Sequence, residues 1–414
     1  MRFRRLAAAA FVAAASAASA AGPEVTATQC AADFDAMWKA VDQGYAYFST
    51  SSRIAWRRAR DAWRPKAAAA SSRAPCGTAL SLALESLRDD AVTLTGDGFV
   101  APRRVPAEAD IFARLEDDRA IVMGVRAGGV ADVAGVHPGL VVHSIQGVAI
   151  ARAVREKLGR TIASAEEKSW ALNHLLAGPR AGSFTLGTRG PGAARTMEVI
   201  RSDEPNGNGP PLVTRKVGEG RDLGYLRPKN SLGDAGFVMH FDAALQHLKD
   251  TRGLILDLRE TQGSGSEEVA RAILGRFIET ETPWQVRVPR GAKAITDNVA
   301  PRGPFAYRAP IVVLVDRWTA GEGEALATGL AAAARATLIG TQMAGMHGKP
   351  RNATLPHSGF VVHFPADKTF LVGGTTPREH AMPGVPVDIL APSGGPGDPI
   401  LYQALKHFEA RIPR

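Results

Sequence analysis

The chain has 414 residues, 45% of them hydrophobic and 22% charged, with 43 glycines and 27 prolines. These proportions exclude wholesale disorder and collagen-like structure, and the length suffices for two or three domains with a sizeable core. The formal net charge of +9 comes from lysines and arginines scattered without a basic stripe interleaved with aromatics, so nucleic acid is not an expected partner and solubility explains the charge.

Residues 1–20 read as a signal peptide. Arg2, Arg4 and Arg5 form a basic start, Leu6 to Ala15 a short apolar run, and Ala18-Ser19-Ala20 an A-x-A cleavage site. The apolar run is too short to span about 30 Å of hydrocarbon, so no stable membrane anchor is expected. Ala27 to Cys30 lacks the aliphatic and small residues of a lipoprotein cleavage box. The expected location is therefore outside the cytoplasm, periplasmic or secreted. Cys30 and Cys76 are the two cysteines of the chain, and in an oxidising compartment they are expected to pair.

From Phe34 to about Leu87 the spacing is helical. Phe34, Met37, Trp38, Val41 and Tyr45 fall on one face, Trp56, Ala59 and Trp63 continue the pattern, and Ala79 to Leu87 predicts a third helix. Residues 21–98 thus read as an N-terminal helical module, with the cysteines tying its first helix to the start of its third. From about Ile111 to Ile200 the texture changes to short strands and glycine turns. Strands are predicted over 120–125, 140–145, 183–187 and 196–200, with a short helix at 130–135 and a hairpin turn at Gln146-Gly147. The pattern V..V...G.A..AGV.PG..V.SI.G resembles a PDZ domain of the bacterial protease type over 108–202. Leu140 stands where that family usually has Asp after Pro-Gly, and the carboxylate-cradling segment near Ala109 to Phe112 lacks the usual glycines.

Asp203 to Pro211 is the clearest linker composition, and 203–222 is assigned to the linker. Beyond it, apolar strands at 223–226, 253–258 and 311–315 alternate with helices at 237–248, 267–277 and 323–334. Such alternation predicts parallel β-α units with both faces covered. Two strand-to-helix junctions carry chemical potential. The first is LDLRETQGSGS, Leu256 to Ser266, whose glycine turn suits either an anion or a tight bend needing positive φ. The second, Val315 to Glu324, has the strand–turn–helix form of a nucleophile elbow.

From Asp33 to the end the chain resembles the C-terminal processing (tail-specific) serine peptidases. The resemblance rests on DFDAMWKAV, GLILDLRETQGSGS, PIVVLVDRWTAGEGEALATGL, ATLIGTQMAGMHG, TPREHAMPGVPVDI and GDPILYQALKHF. It implies a multidomain α/β protein in which the helical module and the PDZ-like β domain accompany a crotonase-like (ClpP/crotonase spiral) β/α core over 223–414. It implies hydrolysis of exported polypeptides, often near a C-terminus, with unfolded or C-terminal segments as partners and without metal or nucleotide cofactors.

Three expected catalytic positions depart from the family. In the family's T-A-S-A-G-E motif the serine is the nucleophile; Thr319 to Glu324 puts Gly321 there. Many members place the activating lysine after a glycine in the next loop; Met346 follows Gly345 here. A tricorn-like branch draws a histidine from L-x-D-x-H; Leu87 to Ala91 ends in Ala91. Gly263 and Gly265 remain as the oxyanion-hole turn, and Glu324 as the acidic residue of the elbow helix. Ser264 and Ser266 are fallback nucleophiles, although turn or capping hydroxyls are commoner there. Lys349 after Gly348 could bring an amine near by a register shift, and His347 reads as a solvent-facing loop histidine. Neither His357 with His363 nor His240 with His247 comes with a third ligand, so no metal is expected. The reading is an exported peptidase homologue with little or no serine chemistry. Its alternatives are a non-catalytic peptide-binding adaptor, an active peptidase using Ser264 or Ser266, and a fold holding a small acyl or anionic ligand.

Overall fold

The computed structural model describes residues 24–160, 163–189, 194–201, 210–263, 265–391 and 397–411. The signal sequence, Ser264 and most of the 203–211 linker lie outside the described residues.

The N-terminal helices are α1 (Ala27–Gly44), α2 (Thr50–Ala68) and α3 (Arg73–Leu84), followed by strand β1 (Thr93–Thr95). Capping boxes start the first two: Thr26 with Gln29, and Ser49 with Ser52. Their apolar faces meet around Phe34, Met37, Val41, Trp56 and Leu80, and the rings of Trp38 and Trp56 lie parallel at 6.3 Å. Cys30 and Cys76 form a disulfide between α1 and α3. The third helix starts at Arg73, earlier than the periodicity predicts, because Pro75 falls in its first turn, where no helical N–H is lost. The helical module does not close its own core. Leu355, Phe360, Val362 and Phe364 complete it, β1 pairs antiparallel with a strand of the C-terminal region, and buried Asp33 accepts the amides of His357 (3.0 Å) and Ser358 (2.7 Å).

The middle unit comprises β2 (Ile111–Glu116), β3 (Arg119–Val125), α4 (Val130–Val133), β4 (Val141–Ile145), β5 (Val148–Ala149), α5 (Ile150–Leu158), α6 (Ala165–Ala177), β6 (Gly182–Arg189) and β7 (Ala194–Arg201). Its antiparallel sheet runs β2-β3-β4-β6-β7, with β5 paired to β4. Gln146 (φ 51°) and Gly147 (φ 74°) make the predicted tight turn. Helices α5 and α6, which the strand-rich reading omits, cover the sheet through Ile150, Val154, Leu172 and Leu176.

The C-terminal region contains β8 (Leu212–Val217), β9 (Leu223–Pro228), α7 (Phe237–His247), β10 (Gly253–Asp257), α8 (Glu267–Leu274), β11 (Thr282–Pro289), β12 (Ile295–Val299), β13 (Ile311–Val315), α9 (Glu322–Ala333), β14 (Thr337–Gly340), β15 (Lys349–Thr354), β16 (Val361–Phe370), β17 (Val385–Pro386) and α10 (Pro399–Arg411). One sheet runs β17-β14-β13-β10-β9-β8, parallel except for β8. Residues 212–217, assigned to the linker from sequence, are thus the antiparallel edge strand of this sheet. Every residue of β10 and β13 is buried because α7, α8 and α9 cover one face and α10 the other. A second sheet, β1-β16-β11-β12 with β15 on β16, joins the helical module to this core.

Candidate active site

Strands β10 and β13 are parallel neighbours, so their C-terminal junctions lie side by side, the usual crevice position of an α/β sheet. Several bonds stitch the two turns together. Leu258 donates its amide to Leu314 O (3.0 Å), Thr319 Oγ1 donates to Leu258 O (3.1 Å), and the Ala320 amide donates to Thr261 O (3.1 Å). Close approach excludes side chains at two points. A Cβ on Gly265 (φ +70°) would lie 2.7 Å from Glu322 Cβ, and one on Gly323 would lie 2.1 Å from Thr261 Oγ1.

Gly321 occupies the turn into α9 with φ 55° and ψ −113°, a backbone that L side chains rarely adopt. Its N–H donates to Oε2 of Glu324 (3.0 Å), the backward half of a capping box. Glu324 is fully buried and also accepts the amides of Gly345 (2.7 Å) and Met346 (3.0 Å). Burial raises its carboxyl above the usual carboxylate range, opposed by Arg378 and these three donors. One carboxylate therefore brings Gly321 and Met346 together.

Ala91 joins the same locality through a different carboxylate. Its amide donates to Asp89 Oδ1 (2.9 Å), and Asp89 Oδ2 accepts both Tyr45 Oη (2.7 Å) and His347 Nδ1 (2.8 Å). His347 is not the solvent-facing loop residue expected from sequence. It is half-buried, and its ring stacks on Tyr47 with centroids 4.1 Å apart. Burial alone would lower its pKa, but the Asp89 carboxylate outweighs this and raises it; the reverse balance holds Asp89 below the usual range. Nothing in the sequence couples two residues 258 positions apart, although Asp89 sits inside the LRDDA run singled out for its last residue.

The remaining expected residues are placed as follows. The Gly263 amide is engaged by Asn230 Oδ1 (2.8 Å), which removes it as an oxyanion donor in this arrangement. Ser266 stands at the N-cap of α8, but its hydroxyl donates to Glu268 Oε2 (2.6 Å) and accepts no amide of the helix. Ser264 lies outside the described residues. Lys349 is ion-paired with Glu267 at the start of α8. His363 bonds Thr95 and Asn352. Beside Gly321, burial pushes Glu322 up to about 7, opposed by Arg378 and reinforced by Glu267.

The elbow also carries the middle unit. Trp318 Nε1 donates to Ala109 O (2.8 Å), and the Arg317 guanidinium lies over the Phe112 ring at 4.7 Å while donating to Met343 O (3.3 Å) and Ala344 O. The 109–112 segment, expected to cradle a carboxylate, is thus bonded to the core. The outer edge of β2 is closed as well: buried Asn173 of α6 accepts the Ala113 amide (3.0 Å) and donates to its carbonyl (3.1 Å). A cavity of about 730 Å³ remains between the two units, lined by Phe112, Met123, Asp316, Trp318 and Asp388 among others. Arg259 and Asp398 in its lining are ion-paired, and behind them the Arg259 guanidinium also donates to buried Asp257, which accepts Tyr225 Oη (2.6 Å). Burial pushes neighbouring Asp316 up to about 7, although Arg259 and the Trp318 amide pull it down.

Residues 222–391 match the model of peptidase family S41. That match spans the C-terminal region from β9 to just past β17. A comparison with curated proteins finds no match. Among solved structures, mature CPAF superposes with TM-score 0.59 at 14% identity, covering 92% of this chain and 95% of that one. The photosystem II D1 C-terminal processing protease gives 0.54 at 20%, covering 87% and 93%. A lipoprotein from Streptococcus agalactiae gives 0.51 at 10%, covering 92% and 97%. At these identities the likeness establishes a shared fold, which extends across the helical module and the middle unit to the C-terminal region.

Proposed function

We propose that this S41-type protein is exported and engages extended polypeptide over the β13–α9 elbow without forming a serine acyl-enzyme. The observation that carries this reading is Gly321 itself, which holds the elbow backbone but offers no nucleophilic atom. Removal of such a nucleophile costs about six orders of magnitude in kcat in subtilisin, where the oxyanion hole and binding still give some rate. In this reading Met346 and Ala91 occupy the positions of the missing lysine and histidine, and residues 108–202 are a PDZ-like unit. The antiparallel sheet and its two longer helices support that assignment. With the β2 edge closed by Asn173, polypeptide enters at the cavity between this unit and the core. Among the described residues no helix is long and apolar enough to cross a membrane, which accords with a signal peptide as the export device.

The test incubates residues 21–414 with several unfolded polypeptides and follows products by mass spectrometry and retention by pull-down, with Gly321→Ser run alongside. Retention without covalent labelling by a fluorophosphonate is expected. Labelling of the unaltered protein, or turnover lost in Ser264→Ala or Ser266→Ala, would overturn the reading.

A further inference from the structure

The pairing of Asp89 with His347 is a contact beside the elbow that the serine-free reading does not use. The Asp89 side chain is 4% exposed and is held by three donors: Tyr45 Oη, the Ala91 amide and His347 Nδ1. A carboxylate fixed in this way accepts the Nδ1 proton, so the lone pair of the neutral ring sits on Nε2. The His347 side chain is 35% exposed, and among the described residues its Nε2 has no hydrogen-bond partner. Stacking on Tyr47 fixes the ring plane. A strut between loop and helical module needs only the Nδ1 bond; this arrangement also orients a basic nitrogen at an open surface.

The backbone that carries His347 approaches the elbow. The Met346 and Gly321 amides each lie 3.0 Å from the same oxygen of Glu324. They are therefore no more than about 6 Å apart, and His347 is the next residue.

We propose that Asp89 and His347 form a general-base dyad that activates water against an acyl carbonyl seated at the Gly321 elbow, making the protein a slow, serine-independent hydrolase of acyl esters carried on polypeptide. His347 Nε2 takes a proton from water as the water oxygen bonds to the carbonyl carbon. The carbonyl π pair moves to oxygen and gives a tetrahedral oxyanion. Its collapse breaks the bond from carbon to the leaving oxygen, which receives the proton from the imidazolium. The products are a carboxylic acid and an alcohol, and no covalent intermediate forms. Esters come before amides because an alkoxide leaves more readily than an amine anion. The proposal rests on the reading above only in placing the acyl group on a polypeptide bound at the elbow.

The test follows hydrolysis of the p-nitrophenyl ester of an acetylated dipeptide by the signal-free chain, with background subtracted. Positioned general bases contribute roughly 10²–10⁴-fold. His347→Gln is expected to lower the rate about a hundredfold, and Asp89→Asn to lower it by a similar factor. His357→Ala, at an exposed histidine elsewhere, leaves it unchanged. The rate rises with pH as His347 loses its proton. The midpoint lies above that of a free imidazole because Asp89, Asp90 and Glu379 face the ring alongside Tyr47, and it falls in Asp89→Asn. A wild-type rate in His347→Gln, or an initial burst of nitrophenol equal to the enzyme present, overturns the proposal. Should both dyad variants misfold by thermal denaturation, the pH midpoint of the unaltered protein, read against the His347 titration by NMR, decides: a mismatch rejects the dyad. Polypeptide retention is measured on the same samples. Retention without His347-dependent hydrolysis removes the dyad alone; hydrolysis that depends on His347 without retention removes the polypeptide reading alone.

Discussion

Trp318 donates its indole N–H to the carbonyl of Ala109 at 2.8 Å, so the residue three positions before Gly321 is bonded directly to the segment that opens β2. The same ring packs against Gly124 of β3, where a Cβ would lie 3.3 Å from it. The elbow and the middle unit therefore share a wall, and displacement of one strains the other. Trp318→Phe keeps most of the apolar contact but leaves the Ala109 carbonyl buried without its donor, a loss of about 1–2 kcal/mol. Amide hydrogen exchange over 109–112 is expected to speed up in this variant. Unchanged protection there would show that the bond does not couple the two units.

The Cys30–Cys76 disulfide closes a loop of 46 residues inside a module whose core depends on strands from the far end of the chain. Cross-linking such a loop stabilises by about 2–4 kcal/mol, chiefly through the unfolded chain. The double substitution Cys30→Ser/Cys76→Ser is expected to lower the Tm measurably, and reductant to shift the Tm of the unaltered protein but not of the variant. Equal Tm values for the two proteins would contradict this.

Legibility in the sequence followed the range of the interaction. The strands at Gly253 and Ile311 and the helix from Glu322 were readable because burial on both faces writes a continuous apolar run and a 3.6-residue period into the chain. Helix α6 was not, because its N-cap at Ser164 lies within a strand-rich stretch and its buried face is broken by Asn173, whose polar side chain serves β2. The second sheet is not legible because β11 and β12 are largely half-exposed, and β16 pairs with β11 about 80 residues away and with Thr93–Thr95 more than 260 residues away. At the site, Gly321 is legible as the glycine of the turn into α9, where φ is 55°. His347 was misread as solvent-facing because its partners, Asp89 and Tyr47, come from the other end of the chain.

Two acids, Asp316 just after β13 and Glu322 at the start of α9, give stability a definite pH dependence. An unfolded Asp or Glu loses its proton near pH 4, whereas Asp316 and Glu322 are pushed up to about 7 by burial. Between these limits the folded chain binds more protons than the unfolded one, so their contribution to stability falls as pH rises from about 4 to about 7. Asp316→Asn and Glu322→Gln remove that contribution, so their urea midpoints are expected to fall less over this window than that of the unaltered protein. Parallel curves would mean that these carboxyls titrate as in the unfolded chain. Asp89 acts in the opposite sense: its depressed pKa adds stability above about pH 4 that is lost on acidification, which Asp89→Asn would remove.

Asn173 decides whether the edge of β2 can accept another strand. Its amide fills both outward-facing backbone groups of Ala113, as an added peptide strand would, and it is itself buried. Asn173→Ala leaves that donor and acceptor unpaired at a cost of about 1–3 kcal/mol. It also frees the edge for pairing. The variant is expected to be less stable yet to gain affinity for short extended peptides, with the gain read as amide protection at Ala113 on peptide addition. If the unaltered protein already protects Ala113 when peptide binds, the edge is open in solution and the cavity beside Trp318 is not the principal entrance. If the variant binds no better, α6 blocks the edge by its bulk and the Asn173 hydrogen bonds are secondary.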